Sequence, residues 1–270
     1  MTLAITEALQ AREAVDLCLV SVRREQLDAV LPTLVEARGV ARILIMVNHA
    51  CGSGWLFDAL GRERTILGFS GAAGGIEDGV VRYMEVVEQP MVIEAAATEV
   101  VALFERAGFR VKAVADMDSW LRRHAVFVTA ACGALYEALG DAHRLASDRA
   151  LIGVFVRAVR EGWTALDRIG VKPPPMGLRA IFSWVPLPLA VRYWAQLFAS
   201  PKGEYYFARH ARQAVEEMAA LATDVLAAVP SAPMPHWQHL NAAIVAAATE
   251  RTERLTAVSG DAASAQEGAV

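Results

Sequence analysis

Two buried-strand signatures flank a helix-period segment near the start of this chain, and that order most constrains the fold. Asp16 to Val22 runs DLCLVSV and Ala41 to Val47 runs ARILIMV. Both are nearly continuous apolar runs, as in strands covered on two faces. Between them Leu27, Val30, Leu31 and Leu34 recur at helical spacing, and Gly39 ends that helix. Strand, helix and strand in that order make a parallel βαβ unit. Sheets of this kind that hold a dinucleotide open with a strand, a G-x-G-x-x-G turn and a helix whose N-terminus receives the pyrophosphate. Residues 1–15 contain no glycine. The expectation is an α/β, Rossmann-like parallel sheet truncated at its opening, with weak dinucleotide binding or none.

The alternation continues. Gly52-Ser53-Gly54 is a glycine turn before a short helix at Trp55–Leu60, and Thr65–Phe69 is a further strand. Ser70–Gly75 is expected as a flexible loop. Val80–Val87 and Met91–Glu94 are expected as a strand pair divided by Gln89-Pro90, then helix Thr98–Ala107 and a final strand Phe109–Val114. Beyond Asp116 only helical periodicity remains. Ser119 is the expected N-cap of a long apolar helix ending near Gly140. Ser147–Ile169 and Gly203–Val229 are further long helices, Pro186 and Pro188 divide short ones, and His236–Leu255 is a last helix. Val258–Val270, rich in Ala, Ser and Gly, is expected to be a disordered tail. The layout is a truncated Rossmann-like domain over 1–116, an all-α domain over 117–257 and a tail over 258–270.

Composition excludes several classes. The chain has 270 residues, 55% of them hydrophobic, with a net charge of −4. Mean hydropathy is +0.32, yet no apolar run reaches membrane-spanning length. The longest, Ala125–Tyr136, is closed by Glu137 and is expected as a buried core helix. There is no basic stripe, so nucleic acid is not an expected partner. Thr2–Val15 carries Glu7, Arg12 and Glu13 and has no signal-peptide pattern. Cys18, Cys51 and Cys132 are odd in number, far apart and in apolar contexts, which suits buried thiols in a reducing cytoplasm. His124 and His210 have no second histidine at ligand spacing, so no metal is expected.

Each polar candidate carries two readings. Gly52-Ser53-Gly54 imitates a dinucleotide turn, but Phe57 stands where the third glycine belongs, so an ordinary strand-to-helix turn fits better. Asn48 ends a strand, where open α/β sheets place ligands, and is equally a plain turn asparagine. Glu216 and Glu217 are adjacent on a helix, point about 100° apart, and suit a solvated face. Arg122 and Arg123 near a helix start oppose the macrodipole, which hints at an anionic partner, although surface pairs are commoner.

Taken together the segments resemble the ketopantoate reductase (2-dehydropantoate 2-reductase) family, in a divergent branch. The matching stretches are DLCLVSVRREQLDAVLP (Asp16–Pro32), ILIMVNHACG (Ile43–Gly52), LGFSGAAGGIEDGVVRY (Leu67–Tyr83), DMDSWLRRHAVFV (Asp116–Val128) and HARQAVEEMAALA (His210–Ala222). The resemblance implies a Rossmann domain followed by a helical domain like that of 6-phosphogluconate dehydrogenase. It also implies NADPH-dependent reduction of a 2-keto acid to a 2-hydroxy acid. It places Asn48 at the cofactor–substrate junction and Arg23 near the cofactor phosphates. It sets Arg122 at the position of the family's catalytic lysine and Glu217 as the glutamate that helps hold substrate. A small 2-keto acid is then the partner, with a homodimer possible. Two departures stand out: the opening strand, glycine turn and helix are missing, and arginine replaces lysine. An arginine can stabilise an oxyanion but is a poor proton donor near neutral pH. The alternative reading is a non-catalytic relative kept for binding or dimerisation, or a truncated gene product, without cofactor binding.

Overall fold

The computed structural model describes residues 9, 14–77, 79–85, 89–173 and 176–267. Residues 1–8 and 10–13 lie outside them. The chain divides into two compact units, Met1–Ala125 and Val126–Val270. The division falls inside a helix, later than the change of pattern near Asp116.

In the first unit the apolar runs do become strands. β1 (Val15–Val20), β2 (Val40–Ile45), β3 (Thr65–Phe69), β6 (Met91–Glu94) and β7 (Val111–Val114) form one sheet in the order β1-β2-β3-β6-β7. The helices between them are α1 (Arg24–Glu36), α2 (Gly54–Leu60) and α3 (Thr98–Arg106). β1, β2 and β3 are mutually parallel, whereas β3 meets β6 antiparallel. Side chains on a strand alternate between faces, and both faces of the central strand β2 are covered. Ile43, Ile45 and Val47 pack with Leu27, Leu34, Leu56, Leu60 and Leu121. Leu44 and Met46 pack on the other side with Ile93, Val100 and Phe104. That two-sided burial is why the β2 run does not alternate.

Arg64 laces this unit together. Its Nε donates to Leu60 O (2.6 Å), Nη1 to Ala37 O (2.9 Å) and Nη2 to Leu34 O (3.1 Å). One guanidinium thus satisfies carbonyls at the C-terminal ends of both α1 and α2, which have no partner within their own helices.

The stretch after β3 differs from expectation. Residues assigned to a loop at 70–75 contribute to β4 (Ala72–Glu77), which pairs antiparallel with β5 (Val80–Glu85). β5 therefore does not pair with β6, which joins the main sheet. Glycines and an Asp-Gly step hide a hairpin behind a loop-like composition.

The second unit, among the described residues, is entirely helical. α4 (Met117–Glu137) begins before Ser119. The cap is Asp116, whose Oδ1 accepts from Ser119 N at 2.9 Å. The remaining helices are α5 (Ala142–Ser147), α6 (Arg149–Arg168), α7 (Met176–Arg179), α8 (Leu187–Phe198), α9 (Arg209–Gln213), α10 (Val215–Ala228) and α11 (Pro235–Glu267). Asp148 caps α6 by accepting from Leu151 N, which separates it from α5. The single helix expected over 203–229 is instead a π-helical turn (Gly203–Ala208), then α9 and α10, broken at Ala214. α11 continues to Glu267 across most of the expected tail, and residues 268–270 lie outside the description. Alanine-rich sequence has high helix propensity, which a reading of low complexity overlooks.

The core of this unit is aromatic. Phe127, Phe155, Phe182, Trp194 and Phe198 meet at centroid distances between 5.1 and 6.2 Å. Gly133 permits a close backbone crossing, because a Cβ there would lie 2.6 Å from Leu240 O. Glu161 of α6 caps α11 by accepting from His236 N at 2.9 Å and Trp237 N at 3.2 Å. Pro235 takes the first helical position, where a missing N–H costs nothing.

Candidate active site

Parallel strands bring their carboxyl ends to one edge, and the first unit places its polar candidates there. Val20 pairs with Ile45. Arg23 and Asn48 each follow their strand by three further residues, so they occupy equivalent positions on adjacent strands. Arg23 precedes α1, with its N–H donating to Gln26 Oε1 at 3.0 Å and its side chain 45% exposed. Asn48 is half-buried on the loop that leaves β2.

That loop bends at Gly52, where φ is +94°, a conformation that side chains disfavour. A Cβ at Gly52 would also lie 2.1 Å from Arg122 Nη2. Gly52 is therefore favoured by the turn, and its bare Cα leaves room for the guanidinium that rests on it. Arg122 reaches it from the second turn of α4. Its Nε is 3.0 Å from Asp118 Oδ2, one helical turn earlier, and its side chain is only 20% exposed. The contact is an ion pair rather than a hydrogen bond, and none of Nε, Nη1 and Nη2 has a hydrogen-bond partner among the described residues.

Asp118 does more than pair with Arg122. Its Oδ1 accepts from Ser53 N at 2.7 Å and from Ser53 Oγ at 2.6 Å. Ser53 Oγ also lies 3.4 Å from Nε2 of the fully buried His49. One carboxylate thus bridges the glycine turn and the arginine. This accounts for Gly52-Ser53-Gly54: it is the seat of Arg122, and its central N–H already faces a carboxylate. A phosphate would meet negative charge there. Beside this network Trp120 and His124 stack at 5.0 Å and 7°, with Phe69 against both.

Glu217 belongs to the second unit. It lies in the first turn of α10, where the macrodipole favours a carboxylate, and is 7% exposed. Its charge acts on Cys132, whose thiol is pushed up by burial first and by Glu217 second. The Tyr136 phenol is pushed up by burial and by its neighbours Cys132, Glu216 and Glu217, against the opposing pull of Arg251. Tyr136 donates to Ala211 O at 2.8 Å. The solvated face expected for the acidic pair holds for Glu216, whose side chain is 38% exposed and pairs with Arg251 at 2.6 Å, but not for Glu217, which is buried.

The sequence reading missed Asp118, Ser53 and His49. An aspartate four residues before Arg122 was a usable signal, since i,i+4 pairs face each other on a helix. The 65-residue separation of Ser53 and Asp118 left no local trace. All three cysteines are free, but they are not all buried: Cys51 is exposed, Cys18 half-buried and Cys132 buried. Among the described residues no helix is long and apolar enough to cross a membrane.

No family model matches the sequence, and no curated protein does. Solved structures do match, at probability 1.00. D-mandelate dehydrogenase, solved in ternary complex with NADH and anilino(oxo)acetate, has a TM-score of 0.66 at 13% identity. That match covers 88% of this chain and 77% of the dehydrogenase. The dimeric ketopantoate reductase of Staphylococcus aureus has a TM-score of 0.63 at 11% identity, covering 87% of this chain and 78% of the reductase. The 2-dehydropantoate 2-reductase of Geobacter metallireducens GS-15 has 0.60 at 13%, covering 90% and 80%. The chain has the ketopantoate reductase fold, with a Rossmann-like first unit and a helical second unit.

Proposed function

We propose that this chain is an oxidoreductase of the ketopantoate reductase type that reduces a 2-oxo acid to a 2-hydroxy acid with NADPH. The observation that carries this reading is the Arg122 guanidinium, seated on Gly52 with its outer nitrogens without a partner among the described residues. A bound nicotinamide dinucleotide supplies the hydride. The chain's own residues hold the substrate. Arg122 binds the keto oxygen and stabilises the negative charge that grows on it, and solvent supplies the proton that completes the hydroxyl. Asn48 stands at the junction of cofactor and substrate, and Glu217 receives a substrate hydroxyl. The dehydrogenase fold supports the reaction class. The dimeric reductase of the same fold supports a homodimer, and three free cysteines accord with a cytoplasmic location.

A specific observation favours a second reading, a non-catalytic relative without cofactor binding. The glycine turn at 52–54 does not fit a pyrophosphate, because Ser53 N–H and the adjoining charge are committed to Asp118. Arg23 remains to meet a phosphate, and one exposed ion pair contributes about 0–1 kcal/mol against the roughly 8 kcal/mol of micromolar binding. Titrating the purified protein with NADPH, followed by nucleotide fluorescence, separates the two. Low-micromolar binding, with NADPH consumed on adding 2-oxo acids and lost in Arg122→Ala, supports the reductase. Absence of both binding and turnover supports the second reading.

A further inference from the structure

We propose that Asp118 is a positioning residue: it locks the Arg122 guanidinium against Gly52, with Ser53 as the latch that fixes Asp118 itself. This rests on the substrate-holding role given to Arg122 above.

An arginine side chain has many rotamers, and an i,i+4 pair at a helix surface holds one of them only weakly. Asp118 is not such a surface pair. Its two oxygens are divided between two tasks. Oδ2 faces Arg122 Nε at 3.0 Å, while Oδ1 takes both the N–H and the hydroxyl of Ser53 at 2.7 and 2.6 Å. The carboxylate is therefore fixed from the turn side before it acts on the arginine. Ser53 is 2% exposed and His49 is fully buried behind it, so the latch rests on the core. The ion pair holds Nε toward Asp118 while Nη2 lies against Gly52, and neither terminal nitrogen has a hydrogen-bond partner among the described residues. A planar fork of this kind recognises an oxyanion or a carboxylate only when its plane is fixed. Bare Gly52 supplies the surface it lies on.

The substitutions separate these contacts. Asp118→Asn retains an oxygen for Ser53 and removes the charge facing Arg122. Asp118→Glu restores the charge at a different reach. Asp118→Ala releases both. With NADPH and a series of 2-oxo acids, Asp118→Asn is expected to lower kcat about tenfold or more with KM within about twofold, at an unchanged thermal midpoint. Asp118→Glu recovers part of the loss. In an Arg122→Ala background Asp118→Asn should cost nothing further, because a residue that acts through another is silent once that other is gone. Full additivity of the two losses overturns the proposal. If the wild-type protein turns over no 2-oxo acid, the reductase reading fails, and the lock is judged by hydrogen exchange at the Ser53 amide. Exchange at least about tenfold faster in Asp118→Ala supports it, since a buried bonded amide exchanges only on local opening. Exchange equal to wild type overturns it.

Discussion

The first unit and the helical unit differ in what governs the polar groups described above. In the first unit, Asp118 fixes the glycine turn at the carboxyl edge, Arg64 ties helix ends together just before β3, both by side-chain hydrogen bonds, and Arg122 rests on a bare glycine. In the helical unit, burial is the largest influence on the Cys132 thiol and on the Tyr136 phenol, which also donates to Ala211 O. The first arrangement leaves charge available at a surface. The second suppresses ionisation of the thiol and phenol. A loop built from directional bonds can present a group to a ligand, whereas a group buried in a helical core is tuned mainly by the loss of water.

The largest effect that would sharpen this contrast is at Gly52. Gly52→Ala places a Cβ against the Arg122 guanidinium at a positive φ, and turnover should fall about a hundredfold through displacement of the fork. Steady-state kinetics beside a melting curve measure it, and turnover within twofold of wild type would break the contrast. Next is Arg64→Met, which retains the apolar stem and strips three carbonyls of their donor. The loss should be about 2 kcal/mol, read from urea unfolding, with faster exchange confined to residues 34–60. Equal loosening of the helical unit would show that the two regions are not held separately.

The smallest effect is alkaline and belongs to the helical unit. Cys132 and Tyr136 are raised above ordinary values of 9.0 and 10.0. Above about pH 9 for the thiol and about pH 10 for the phenol, the unfolded chain sheds these protons while the folded chain retains them. Their contribution is therefore complete below those values and falls as pH rises, by about 1.4 kcal/mol per pH unit for each group. Unfolding midpoints between pH 8 and 10 should fall for wild type and fall less steeply for Cys132→Ala and Tyr136→Phe. Equal slopes in all three would remove burial as the governing term.

What was legible in the sequence follows the same division. Strands β2 and β6 were visible because two-sided burial demands continuous apolar runs, and β1 was visible from its apolar run although it is an edge strand with Leu19 exposed. The β4–β5 hairpin was not, because its glycines carry no burial pattern. The break at Ala214 was also hidden, since its neighbours keep an unbroken apolar stripe. Asn48 could be placed at a strand end from the run before it. The seat of Arg122 could not, because it depends on Ser53 and Asp118 meeting across 65 residues. Glu217 appeared to be one of a solvated pair, and only tertiary packing shows which of the two turns inward.

The uneven exposure of the three thiols supplies a built-in reporter. Cys18 is half-buried with its thiol pushed up by burial, and Cys132 is fully enclosed. Cys51 is exposed and adjoins Gly52, on which the guanidinium rests. A maleimide dye or nitroxide offered to the native protein will select Cys51 without any engineered cysteine. The label then sits one residue from the Arg122 seat, where its emission or line shape registers anything that settles on that edge.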